Sequence, residues 1–102
     1  MSDDTDGVPL GDEVAVRQRV LIRNKRGLHA RASAKFVTLT SEFTATVTVE
    51  KDGQRVTGTS IMGLMMLAAS PGDEIEIIAS GTDADAALAA LVGLVEDRFG
   101  EE

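Results

Sequence analysis

The chain's only histidine, His29, stands where a glycine-containing loop meets a helical run, in the stretch NKRGLHARASAKF. The first turn of a helix presents unpaired N–H groups and a partial positive charge, and both attract anions. A neutral imidazole nitrogen is a competent nucleophile toward phosphorus, and the nearby Arg31 can add a forked contact to a phosphate. We therefore predict that His29 and Arg31 handle a phosphoryl group, supported by the backbone N–H groups of Ala30 and Arg31.

A simpler interpretation of His29 stays open at this point. A lone histidine near a helix start is often an exposed polar residue without a function. Histidine is not a preferred helix cap, however, and such departures from local rules tend to mark function. The chain has no second histidine and no cysteine, so we predict neither a hydrolytic site, nor a metal, nor a cofactor. Gly27 lets the loop bend and, on this interpretation, leaves room for another protein's reacting group.

Charge is distributed unevenly along the chain, whose net charge is −7. Residues 1–15 carry five acidic side chains and no base, whereas residues 16–41 carry seven bases and no acid. A basic half fits a surface for one anionic ligand or acidic partner, although a solvated strand face is the simpler alternative. A pI near 4.6 and the scarcity of aromatic residues argue against nucleic-acid binding.

Composition predicts one soluble domain and a tail. We expect residues 1–15 to form an acidic, disordered tail and residues 16–102 to form the folded domain. The N-terminus lacks the basic-then-apolar order of a signal peptide, and no apolar run approaches the roughly 18 residues of a membrane span. We therefore predict a cytoplasmic protein without a membrane contact.

The hydrophobic pattern predicts the element order β-α-β-β-α-β-α. Strands are expected at 16–23, 44–50, 54–58 and 74–79, and helices at 30–40 and 61–69, with a last helix opened by the segment GTDAD at 81–85. Ser60 is a credible N-cap for the second helix, and Thr82 with Asp85 has capping-box spacing for the third. Alternation of apolar with polar residues predicts an antiparallel sheet with helices on one face and water on the other.

Two segments, GLHARASAKFV at 27–37 and TSIMGLMMLAA at 59–69, closely resemble the HPr family of phosphocarriers of the phosphotransferase system. The resemblance implies an α+β, open-faced β-sandwich: a four-stranded antiparallel sheet covered on one face by three helices. It implies that His29 accepts a phosphoryl group on Nδ1 from phosphorylated enzyme I and gives it to a histidine of an EIIA-type protein. Arg31 matches the arginine that steadies the phosphate. The chain would then be a stoichiometric carrier, not a small-molecule enzyme.

The resemblance also assigns the second segment. Ser60 matches the regulatory serine that HPr kinase/phosphorylase modifies, although a capping role alone explains a serine there. The family's exposed apolar positions, which partners cover, correspond to Ile61, Met62 and Met65. We add Gly27 to this partner-binding set. We expect a monomer. Ala32 stands where most family members have proline, which predicts a slightly less rigid helix start.

Other functions stay open on the residues alone. The same element order describes ferredoxin-like modules that bind small ligands between subunits. A regulatory paralogue would use phosphorylated Ser60 to dock a transcription factor, but its loop would not need a histidine. Within the carrier family, the sequence does not separate the sugar-uptake branch from the nitrogen-regulatory branch.

Overall fold

The computed structural model describes residues 15–101, so the predicted acidic tail lies outside the described residues except for Ala15. Seven regular elements follow one another in the predicted order, and a 3₁₀ turn follows the last helix. The strands are β1 (Val16–Leu21), β2 (Thr46–Lys51), β3 (Gln54–Thr57) and β4 (Glu74–Ser80). The helices are α1 (Ala30–Thr40), α2 (Ile61–Met66), α3 (Ala84–Glu96) and the 3₁₀ turn Arg98–Gly100.

The four strands form one antiparallel sheet in the order β1-β4-β2-β3. Ala79 in the middle of the sheet lies opposite Val16 on one side and Val47 on the other. The tight turn between β2 and β3 uses Asp52 and Gly53, whose φ angles of 52° and 82° are both left-handed. Such angles match the right-handed twist of a hairpin, which joins the two strands here.

The helices cover one face of this sheet and leave the other face open. Alternate residues of the central strands, including Val49 and Ile77, are fully buried together with Phe36 of α1 and Leu91 of α3. On the opposite face, charged side chains pair across β1 and β4: Arg17 with Glu76 at 4.0 Å and Arg19 with Glu74 at 3.6 Å. The predicted open-faced sandwich is therefore confirmed. Within residues 15–101, no helix is long and apolar enough to cross a membrane.

The start of α3 differs from the prediction. The helix begins at Ala84 with Asp83 as its N-cap residue, and no side chain supplies the capping hydrogen bond. The Asp83 carboxylate instead accepts a hydrogen bond of 2.8 Å from the backbone N–H of Thr44. The predicted Thr82–Asp85 capping box is wrong because the helix starts later and its acidic neighbour fastens the loop that precedes β2.

Candidate functional site

His29 is the N-cap residue of α1. Its backbone is extended, with φ −75° and ψ 179°, and the first helical hydrogen bond runs from Ser33 N–H to His29 C=O at 2.9 Å. The imidazole Nδ1 accepts a hydrogen bond of 3.3 Å from the backbone N–H of Arg31. Histidine therefore serves as the cap that a Ser or Asp usually provides, and Nδ1 occupies the place where the helix end attracts an acceptor.

The other ring nitrogen faces a carboxylate that the sequence did not indicate. Nε2 of His29 lies 2.7 Å from Oε2 of Glu101, although the two residues are 72 positions apart. The side chains are only 15% and 21% exposed, respectively. Oε1 of Glu101 accepts a second hydrogen bond of 3.1 Å from Nδ2 of Asn24. The imidazole is therefore held at both nitrogens, and only Nδ1 faces the start of α1.

The pKa of the Glu101 carboxyl is shifted by two opposing effects. Partial burial raises the pKa, but hydrogen bonds from Asn24 and His29 lower it, as do the positive charge of Lys35 and, when the imidazole is protonated, that of His29. The lowering effects are larger together, so the pKa lies below its ordinary value of 4.5. Glu101 is therefore a carboxylate at neutral pH, which accepts hydrogen bonds and donates none.

Gly27 shapes the loop that carries His29. Its φ of +62° is left-handed, and a Cβ at this position would lie 2.1 Å from the carbonyl oxygen of Ala69. The same carbonyl accepts a hydrogen bond of 3.0 Å from Leu28 N–H, and Asn24 Nδ2 donates to the Gly27 carbonyl at 2.8 Å. Gly27 is buried, and the backbone of Ala69 lies against it, so its predicted part in partner binding stays a prediction.

Positive charge surrounds the start of α1. Arg31 is exposed and makes no ion pair with another residue of the described range 15–101. The preceding loop exposes three further bases, Arg23, Lys25 and Arg26. An exposed guanidinium two residues after the histidine can form the bidentate contact with phosphate that the sequence predicted.

The second sequence segment forms α2, which packs against α1. Ser60 caps it, because the Ser60 hydroxyl oxygen accepts a hydrogen bond of 2.9 Å from Gly63 N–H. Four large apolar side chains of this helix are exposed: Ile61 by 40%, Met62 by 68%, Met65 by 39% and Met66 by 66%. Met66 was not among the predicted residues. Its neighbour in the helix, Leu64, faces the core and is fully buried.

The arrangement is suited to transient phosphate chemistry on a nitrogen atom. It combines one imidazole, one exposed guanidinium and the amide end of an eleven-residue helix. Across the part of the chain that the structure describes, no group of three or more His, Asp or Glu side chains could hold a metal ion.

Comparisons with known proteins converge on one family. A family model described as "PTS HPr component phosphorylation site" matches residues 16–97. A phosphocarrier protein HPr of Neisseria meningitidis is 50% identical over 86 residues, which cover 84% of this chain and 97% of that protein. The phosphocarrier protein NPr of Shewanella violacea is 42% identical, covering 84% and 94%. The crystal structure of an HPr from Thermoanaerobacter tengcongensis is 45% identical with a TM-score of 0.82, covering 85% and 98%.

Proposed function

The chain belongs to the HPr family of phosphocarriers of the phosphotransferase system, and we propose that it carries its phosphoryl group on His29 Nδ1. The donor is phosphorylated enzyme I and the acceptor is a histidine of an EIIA-type protein. One observation carries this proposal: Nδ1 is the ring nitrogen at the amide end of α1, 3.3 Å from the N–H of Arg31. A phosphoryl group bonded to Nδ1 would therefore meet backbone donors.

The transfer exchanges one hydrogen bond for another. The 3.3 Å contact between Arg31 N–H and Nδ1 is long and is easily given up. When the Nδ1 lone pair attacks phosphorus, the donor's P–N bond breaks and its electron pair returns to the donor nitrogen. The Arg31 N–H, with that of Ala30, then donates to a phosphate oxygen, and the Arg31 guanidinium adds a charge-assisted contact. The chain contributes positioning and electrostatics, as in other phosphoryl transfers.

Partners would dock on the exposed side chains of α2 together with the basic loop. Ile61, Met62, Met65 and Met66 give a flexible apolar surface, which suits a protein that must bind several partners weakly. The exposed bases near His29 would steer an acidic partner. The carrier itself would act as a monomer in the cytoplasm and would leave each partner after a single transfer.

Ser60 is proposed as a regulatory phosphorylation site for HPr kinase/phosphorylase. Its hydroxyl is already at the start of α2, where a phosphate would be tolerated by the helix amides. The added negative charge would lie beside Ile61 and Met62, within the proposed docking surface. Phosphorylation would therefore weaken the approach of an acidic partner without unfolding the helix.

The test of the phosphoryl site separates the nucleophile from the helix cap. His29→Ala removes both, whereas His29→Asn restores a good cap but no nucleophile. With enzyme I and phosphoenolpyruvate, both variants should take up no acid-labile phosphate, while the parent should be labelled at one site. Arg31→Met should be labelled about 100-fold more slowly, a loss typical of one preorganised donor. Labelling of His29→Asn at the parental rate would exclude His29 as the acceptor.

The test of Ser60 uses its exposed neighbour as a control. Ser60→Asp and Thr59→Asp add the same charge one residue apart, but only the first lies at the capping position. Charging of His29 by enzyme I should slow in Ser60→Asp and change much less in Thr59→Asp. Equal rates in all three proteins would leave Ser60 as a cap alone.

The branch of the family follows from the acceptor. The chain is similar both to an HPr and to an NPr, so similarity does not separate sugar uptake from nitrogen regulation. Incubation of the phosphorylated chain with a sugar-specific EIIA and with a nitrogen-type EIIA, in parallel, would identify the branch by which of them gains the phosphoryl group.

A further inference from the structure

Glu101 reaches His29 through an unusual C-terminal turn. Three consecutive residues, Arg98, Phe99 and Gly100, have left-handed φ angles of 57°, 54° and 72°. Two of them are not glycine, and such residues persist in this conformation only where their surroundings hold them. Phe99 is fully buried, and its carbonyl accepts a hydrogen bond of 2.6 Å from Lys35 Nζ on α1.

This turn brings the Glu101 carboxylate to Nε2, the imidazole nitrogen that does not face the start of α1. Both Glu101 oxygens are occupied, Oε2 by His29 Nε2 at 2.7 Å and Oε1 by Asn24 Nδ2 at 3.1 Å. Asn24 is itself fully buried and donates also to the Gly27 carbonyl. The carboxylate is therefore aligned by the same loop that carries His29, and its position depends on several contacts from separate parts of the chain.

We propose that Glu101 is a positioning residue that keeps a proton on His29 Nε2 and thereby reserves Nδ1 for the phosphoryl group. A neutral imidazole has one N–H, and Nδ1 accepts a hydrogen bond from the Arg31 amide. The carboxylate opposite Nε2 has only acceptor atoms, so the ring proton lies between Nε2 and Oε2. The link to phosphoryl transfer depends on the function proposed above, whereas the proton position does not.

The same contact would matter after phosphorylation. When a phosphoryl group occupies Nδ1 and the proton stays on Nε2, the ring carries a positive charge. A carboxylate at 2.7 Å stabilises that charge. In onward transfer the P–N bond then breaks toward a ring that leaves as neutral imidazole, a far better leaving group than imidazolate. Glu101 would thus keep the phosphorylated chain competent as a donor.

The charged groups around this ring come from two elements. Glu101 belongs to the C-terminal turn, and Lys35 and Arg31 belong to α1, while Asn24 of the preceding loop is uncharged. Both basic groups oppose a positive ring, so Glu101 is the one side chain of this set that favours it, and the charge of the phosphoryl group itself is the same in the parent and in every variant. Replacing Glu101 should therefore make the phosphorylated ring lose its Nε2 proton at lower pH.

The first experiment reads the proton directly by NMR of the histidine-labelled, unphosphorylated protein. Because the chain has a single histidine, one Nε2–H signal is expected. It should be visible and slow to exchange with water in the parent and in the control Glu96→Gln, which alters an exposed glutamate. In Glu101→Ala the signal should be lost because the proton exchanges rapidly with water. An equally protected signal in Glu101→Ala, or a proton found on Nδ1 of the parent, would overturn the proposal.

The second experiment measures hydrolysis of the phosphorylated protein against pH, after chemical phosphorylation with phosphoramidate. Glu101→Gln keeps the size and a hydrogen-bond acceptor but loses the charge, so it should fold even where Glu101→Ala does not. The pH of half-maximal hydrolysis should fall by about one unit in Glu101→Gln. It should recover in part in Glu101→Asp and stay unchanged in Glu96→Gln. Identical profiles in the parent and Glu101→Gln would refute the role of the charge.

Because neither experiment uses enzyme I, they fail separately from the proposed function. If the His29→Asn variant were still phosphorylated by enzyme I, the proposed phosphorylation site would be contradicted. The Nε2 proton could still be observed in the parent protein. A parent lacking the protected proton would contradict the role of Glu101 even where His29 accepts the phosphoryl group.

Discussion

The loop that presents His29 depends on a glycine, and the cost of replacing it can be worked out from the contacts. In Gly27→Ala the new methyl group would lie 2.1 Å from the Ala69 carbonyl oxygen, more than an ångström short of the 3.4 Å where ordinary contact begins. The left-handed φ of an alanine costs about 1–2 kcal/mol, and overpacking adds roughly 1–3 kcal/mol. Loss of the Leu28–Ala69 hydrogen bond adds about 1 kcal/mol, so the free energy of unfolding should fall by about 3–6 kcal/mol.

Gly53 provides the matched control for this prediction. Its φ of +82° is also left-handed, but nothing lies within 4 Å of a Cβ built there. Gly53→Ala should therefore lose no more than about 2 kcal/mol, the backbone cost alone. The chain has no Trp or Tyr, so urea unfolding is best followed by far-UV circular dichroism. Equal midpoints and slopes for the two variants would show that the Ala69 contact carries no energy and would refute the reasoning.

Three further predictions concern single contacts. Ser60→Ala should lower the free energy of unfolding by about 1 kcal/mol through loss of the cap, whereas Ser60→Asn should retain it. Because the folded-state pKa of Glu101 lies below 4.5, its stabilising contribution is complete above that pH and is lost as the pH falls through the folded-state value. Unfolding free energies measured from pH 7 downward should therefore fall more steeply in the parent than in Glu101→Gln. Lys35→Met should cost about 1 kcal/mol and should weaken protection of the Nε2 proton.

Each of these has a contrary result. Ser60→Asn that is as unstable as Ser60→Ala would argue against capping at α2. If the free energy of unfolding falls equally steeply with decreasing pH in the parent and in Glu101→Gln, the acid sensitivity belongs to other carboxylates. A fully protected Nε2 proton in Lys35→Met would show that the Phe99 contact does not hold the C-terminal turn.

The sequence predicted the parts of the site that depend on local spacing. His29 and Arg31 lie within one turn of a helix start, and their positions relative to its amides follow from helix geometry alone. Ser60 could be placed as a cap because a serine directly before an apolar helical run has few other local roles. The strands were equally legible, since alternation of apolar and polar residues reports which face is buried.

Glu101 could not be predicted because its contact with His29 is set by a turn of left-handed residues. Arg98 and Phe99 carry no local signal for such angles, which are typical of glycine, and the anchor is the burial of Phe99 in the core. The error at Thr82 and Asp85 has a related cause. A capping motif describes only contacts within its own helix. The Asp83 carboxylate instead accepts a hydrogen bond from the backbone N–H of Thr44, which is distant in the sequence.

The uncovered face of the sheet offers a position for a probe. Arg19 is 71% exposed there, and its ion pair with Glu74 at 3.6 Å is an exposed one, worth at most about 1 kcal/mol. A cysteine introduced at this position would be the sole thiol of the protein, because the chain contains none. A fluorophore attached to it would project from the side opposite α1 and α2, so association with other proteins could be followed by anisotropy with the docking side chains left unaltered.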